Sequence, residues 1–176
     1  MSRTQWDDLI TYVGGSSVAA REAKEIGTVY WSDNLGLNTY GFNARGGGQR
    51  TSGAFNSLKA VGTWWTATQT IPGFGRFISM TSVSDASTGS GAANDEGKSI
   101  RLIYVGVGSP SFYLGNDSKK YRVIQVGGIW YTSDNLAETK YRDGSYISGY
   151  DGGVYTPIAN ATWAALTTGA LCAYVS

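Results

Sequence analysis

The chain has 176 residues and a formal charge of +1, from 14 Lys and Arg against 13 Asp and Glu, too little for an electrostatic grip on nucleic acid. It holds no histidine and a single cysteine, Cys172, which excludes imidazole-based catalysis, an internal disulfide and a multi-cysteine metal site. With 41% apolar and 15% charged residues, 25 glycines and a mean hydropathy of −0.19, residues 1–176 read as one turn-rich domain with an aromatic, polar surface. No apolar run reaches the roughly 18 residues of a membrane helix.

The chain opens on a predicted helix, with Thr4 as N-cap and Asp7 three residues on. Trp6, Leu9, Ile10 and Val13 follow at helical spacing as one apolar stripe, and Gly14-Gly15 stops it. Met1 to Thr4 lead straight into this helix, so no signal peptide is expected. Ser16 or Ser17 is read as the cap of a second short helix that runs to Ala23–Glu25 and stops at Gly27.

Short β segments follow. Thr28–Trp31, Gly41–Arg45 and Ala54–Lys59 are candidate strands, the last two flanking the Gly46-Gly47-Gly48 loop. Thr63–Thr70 and Arg76–Val83 are separated by the turn signal Ile71-Pro72-Gly73. Residues 84–97, small and polar, read as a loop. Ser99–Val107 is the most strand-like run, and 108–119 reads as a linker. Tyr121–Val126 and Ile129–Thr132 form a predicted hairpin about Gly127-Gly128, and Asp143-Gly144 marks another turn. Asn160 or Thr162 caps a last short helix carrying Trp163 and Leu166, stopped by Gly169. The fold class expected from this order is α+β, short strands with helices near one end. The echo of Ser32-Asp33-Asn34-Leu35 in Ser133-Asp134-Asn135-Leu136 extends too little to mark a repeat.

Several stretches together resemble the Fibrobacter succinogenes major paralogous domain. They are Gln5 to Ile10 with Val13-Gly14-Gly15, Ala23 to Thr28, Tyr40 to Gly47, the Gly62-Thr63-Trp64-Trp65-Thr66-Ala67-Thr68 box and Ser99 to Leu102. A second set comprises Tyr121 to Ile124, Gly128 to Trp130, Asp134 to Leu136, Lys140 to Gly144, and Thr162-Trp163 with Thr167 to Ala170. The resemblance implies a C-type-lectin-like fold with its halves in permuted order. That order reads either as a circular permutant or as a stretch from the middle of a tandem array, and the permutant is the expected reading. Residues 1–107 resemble the second half, 108–119 link, and 120–176 resemble the first half, packing back to complete one module. The calcium-dependent sugar motifs of C-type lectins and the paired cysteines of formylglycine-generating enzymes are absent from this sequence.

The adjacent Trp64 and Trp65 point to opposite faces of a strand, so one belongs to the core and the other is free to stack on a sugar ring. Trp6, Trp130 and Trp163 sit in apolar patterns and are expected in the core. Asp85, Asp95 and Glu96 match no calcium-loop spacing, so no metal site and no cofactor are expected. Asp7, Asp8, Asp33, Asp134, Asp143 and Asp151 offer no selected pair for glycoside hydrolysis, so no enzyme is expected. The Gly41–Gly53 segment, with Arg45, Gln49 and Arg50, lacks a phosphate-loop pattern. Cys172 reads as a small buried hydrophobe.

These readings point to a non-catalytic recognition or adhesion module for glycans or cell-surface proteins, extracellular or at the cell surface, without membrane insertion. Its contacts are expected from loops 36–52, 69–76 and 84–97, with Trp65, Tyr40 and Arg50 as ligand-binding residues. The alternative is a phage virion protein, a fibre tip, receptor-binding or capsid-decoration protein, assembling as a homo-oligomer at the virion surface.

Overall fold

A computed structural model of the chain describes residues 1–166. Its first helix, α1 (Arg3–Tyr12), starts two residues earlier than expected. Ser2, not Thr4, is the N-cap, and its hydroxyl accepts from Gln5 N (3.2 Å) while Gln5 Oε1 accepts from Ser2 N (2.7 Å). The stripe of Trp6, Leu9, Ile10 and Val13 is buried as the spacing requires. Helix α2 (Ala19–Ala23) has Val18 as N-cap without a side-chain bond, so neither Ser16 nor Ser17 caps it. Its small face allows close packing, with Ala19, Ala20 and Ala23 all buried.

The expected strands at Thr28–Trp31 and Gly41–Arg45 do not form; the second keeps one bridge, Lys24 to Ala44. For Gly41–Arg45 the reason lies in who takes the backbone acceptors. The Phe42 and Asn43 carbonyls accept from the Arg101 guanidinium (2.8 and 2.5 Å), and the Ala44 carbonyl accepts from Trp31 Nε1 (2.8 Å). Strand β1 (Gln49–Thr51) pairs with β2 (Ala54–Asn56), which ends where Ser57 and Lys59 adopt positive φ.

Strands β3 (Val61–Ile71), β4 (Phe74–Thr81) and β5 (Ser87–Ala93) form an antiparallel three-stranded sheet in that order. β5 corrects the expectation of a loop over 84–97. Ser87 to Ala93 carries only one of the usual strand-forming side chains, Thr88, yet it pairs with β4 along its whole length, from Ser87 opposite Met80 to Ala93 opposite Phe74. The Arg3 side chain lies over it at Gly89, where a Cβ would make the guanidinium shift.

The run Ser99–Val107 divides between two sheets. Ser99 bridges Trp64 on β3, whereas β6 (Ile103–Tyr104) pairs with β9 (Ile129–Thr132), and Val105 and Val107 project into solvent. The expected linker 108–119 contains strand β7 (Phe112–Leu114), paired with β8 (Lys120–Val126). The second sheet is thus antiparallel in the order β6-β9-β8-β7. The β8–β9 hairpin forms as expected, with Gly127 and Gly128 at φ 58° and 82°, the left-handed pair that a two-residue turn of this hand requires. A small hairpin, β10 (Tyr150–Asp151) with β11 (Val154–Tyr155), and helix α3 (Asn160–Ala164) follow. Ala159, not Asn160 or Thr162, precedes α3 as N-cap. Gly169 and Cys172 lie outside the described residues.

The core gathers Trp6, Trp31, Trp64, Phe42, Ile78, Met80 and Tyr131. Trp6 contacts Phe42 edge-on (5.7 Å between centroids) and Trp64 at a tilt (5.9 Å). Trp130 and Trp163, expected in this core, are half-exposed. Two buried cations are fully engaged. Lys24 meets Asp33 (3.0 Å) and the Thr81 and Ser82 carbonyls (3.2 Å each). Arg101 donates to Phe42 O, Asn43 O, Thr132 O and Asn135 Oδ1. Through Arg101 and the Asn43–Ser133 bond (2.8 Å), the segment around β8 and β9 is tied to the first hundred residues.

The architecture is therefore α+β, mostly antiparallel strands with three short helices among the described residues. No helix among them is long and apolar enough to cross a membrane.

Candidate functional site

A cleft of about 680 Å³ opens between β1, the 94–100 segment, the 136–139 segment and the arm that carries β10, β11 and α3. Its position follows from the sheets. Because β3 buries Trp64 completely, the alternation of the strand turns Trp65 outward, half-buried, toward the cleft. Trp65 packs perpendicular to its cross-strand partner Phe77 (6.2 Å between centroids). Lys98 Nζ lies 5.1 Å from the Trp65 ring and 4.3 Å from the Phe77 ring, and its charge is met by Glu96 Oε2 (2.5 Å) and Gln49 Oε1 (3.3 Å).

Arg50 lines the same cleft and is 5% exposed. Its backbone exchanges a pair of hydrogen bonds with Gly97 (2.8 Å each), which fixes β1 against the 94–100 segment. Its guanidinium stacks on Trp163 (4.6 Å) and donates to the Asn160 side chain, so it also holds α3 in place. Trp163 Nε1 in turn donates to Asp95 O (2.5 Å). Tyr150 and Tyr155, half-exposed on the small hairpin, and Phe55 complete an aromatic lining.

The far wall is polar and fully organised. Glu138 accepts from Tyr113 OH (3.1 Å) and Asn116 N. Burial raises the Tyr113 phenol, and the charge and hydrogen bond of Glu138 raise it further. Behind Thr139, Asp117 accepts from Thr139 N (2.9 Å), Thr139 Oγ1 (3.0 Å) and Lys119 N (3.1 Å). Burial alone would raise its carboxyl, but these bonds outweigh it and lower the pKa.

Of the three residues expected to bind ligand, the structure brings together two. Trp65 and Arg50 face one cleft, while Tyr40 lies elsewhere, packed edge-on against Tyr12 (5.6 Å) beside the core. Tyr40 is therefore not among the residues that line this cleft. Of the expected contact loops, 36–52 and 84–97 contribute through Gly47 to Arg50 and through Asn94 to Gly97, whereas 69–76 does not line this cleft. Asp85 is drawn away to Arg21 (3.5 Å) and Glu96 to Lys98, so the three loop carboxylates do not converge. Asp7, Asp33 and Asp134 likewise pair separately with Arg3, Lys24 and Arg45. No group of three or more acidic, histidine or cysteine side chains clusters for a metal among the described residues.

Sequence reasoning missed Lys98, Tyr150, Tyr155 and the outward role of Trp163. The signal available for the tyrosines was Tyr150-Asp151-Gly152-Gly153-Val154-Tyr155, a glycine-pair hairpin with a tyrosine at each end. In comparison with known proteins, the chain matches no family model, no curated protein and no solved structure.

Proposed function

We propose that the chain is a non-catalytic recognition module, displayed at a cell surface, that binds glycans in the cleft between β1 and the α3 arm. The observation that carries this reading is the half-exposed aromatic lining of Trp65, Trp163, Tyr150 and Tyr155 around a volume suited to a few sugar rings. Sugar rings present C–H faces that stack on aromatic faces, and hydroxyls that pair with the polar wall at Glu138 and Thr139. The resemblance to C-type-lectin-like modules supports the same reading, with binding that needs no calcium.

A glycan array probed with and without a chelator tests it. The expected result is a set of hits unchanged by the chelator and lost in Trp65→Ala. A blank array, or hits retained by Trp65→Ala, would refute the cleft reading.

The second reading, an oligomeric virion protein, draws on one observation. Both edges of the four-stranded sheet expose apolar side chains, Val105 and Val107 after β6 and Phe112 and Leu114 on β7. A stable trimer in solution would favour it, and a monomer would set it aside.

A further inference from the structure

The cleft contains a buried cation without a carboxylate. Three cations line it. Lys98 is paired with Glu96 at 2.5 Å, and Lys119 with Asp117 at 3.3 Å and with the Ala137 carbonyl at 2.6 Å. Arg50 has no carboxylate within salt-bridge distance among the described residues; its side chain meets the Asn160 side-chain oxygen and the Trp163 ring. Yet Arg50 is 5% exposed, so water replaces little of what a counter-ion would supply. The acidic residues of the lining do not relieve it. Glu96 is taken by Lys98, Glu138 by Tyr113 and Asn116, and Asp95 sits exposed at the rim.

A guanidinium is planar, carries five donors and matches a carboxylate through two parallel bonds. Its neighbours here are aromatic faces, which suit the ring that carries such a carboxylate. Resting on the glycan reading of the cleft, we infer that the module selects acidic sugars, with a ring carboxylate seated on Arg50 and the ring itself against the Trp65 side of the cleft. Because the pair would form in a water-poor site, its attraction is only weakly screened by salt.

The test is calorimetric titration of the full chain with oligogalacturonate and with the same oligomer methyl-esterified, which keeps the rings and removes the charge. The acid form is expected to bind at least about tenfold more tightly, one charge-assisted hydrogen-bonded pair being sufficient for that ratio. Arg50→Gln should bring the two affinities together. Because Arg50 also holds α3, Arg50→Lys serves as the second variant; it keeps the charge, loses the paired geometry, and should retain a reduced preference. Equal affinity of the wild type for acid and ester would overturn the inference and leave the glycan reading standing. Binding of neither would overturn both. Binding of a sulfated oligosaccharide but not of the carboxylated one, or of free acetate as tightly as the oligomer, would overturn the assignment of a sugar carboxylate.

Discussion

Asn135 Oδ1 accepts from Trp64 Nε1 at 2.9 Å, and the same oxygen accepts from Arg101 Nε at 2.8 Å. One side-chain amide therefore joins strand β3 of the three-stranded sheet to the buried guanidinium that binds the Phe42, Asn43 and Thr132 carbonyls. Its amide nitrogen completes the arrangement by donating to Ser99 Oγ (3.0 Å). Asn135→Ala should leave two buried donors unpaired, at a cost of about 1–3 kcal/mol for each. Chemical denaturation would show this as a lower midpoint with an unchanged slope.

The first helix gives a sharper contrast. Ser2→Ala removes the hydroxyl of the capping box and should destabilise the chain by about 1 kcal/mol. Thr4→Ala, at an exposed position within the helix, should stay within about 0.5 kcal/mol of wild type. Paired thermal melts distinguish the two.

Gly62 on β3 faces a crowded wall. A Cβ there would run into the Trp64 ring and approach Arg45 O at 2.8 Å and the Trp31 ring at 3.1 Å. Gly62→Ala is expected to cost about 1–3 kcal/mol through overpacking. Gly91→Ala, whose nearest neighbour would be Gly75 O at an ordinary 3.5 Å, is the control and should be close to neutral. Urea unfolding of both variants checks the pair.

Two buried phenols make the fold sensitive to alkali. Burial pushes Tyr121 and Tyr131 from the ordinary 10.0 up to about 12, with nearby carboxylates adding to the shift. A raised folded-state pKa means that the stabilisation is fully present below about pH 10 and is lost as the pH rises through 12. Melting temperature should fall across that interval, and Tyr131→Phe, which cannot ionise, should flatten the decline. A wild-type melting temperature unchanged over the interval would contradict this.

The elements legible in the sequence were those written in strong periodicity or turn chemistry. The apolar stripe of α1, the long β3–β4 pair around Pro72-Gly73 and the Gly127-Gly128 hairpin all formed close to their expected bounds. β5 was illegible because its strand is defined by what surrounds it. Thr88 is its one strand-forming residue among serine, glycine and alanine, so it is the pairing with β4 that defines the strand. Residues 41–45 misled in the opposite sense. Their composition suits a strand, but a distant arginine takes the carbonyls a ladder would need.

The candidate site was legible in part for the same reason. Trp65 follows from the alternation of one strand and could be read locally. Arg50 was singled out, but its setting depends on Asn160 and Trp163, more than a hundred residues away. Tyr40, in the expected contact loop 36–52, is set by Tyr12 of α1, a contact distant in the chain that its local sequence does not announce.

The most direct test of the cleft is to follow the tryptophan indole N–H signals by NMR while an acidic oligosaccharide is titrated into the full chain. Trp65 and Trp163 line the cleft, whereas Trp6, Trp31 and Trp64 are sealed in the core and Trp130 lies on β9 outside it. Saturable shifts at Trp65 and Trp163, with the core signals fixed, are the predicted result. Shifts confined to Trp130, or no shift while binding is registered by calorimetry, would place the ligand elsewhere and contradict the account.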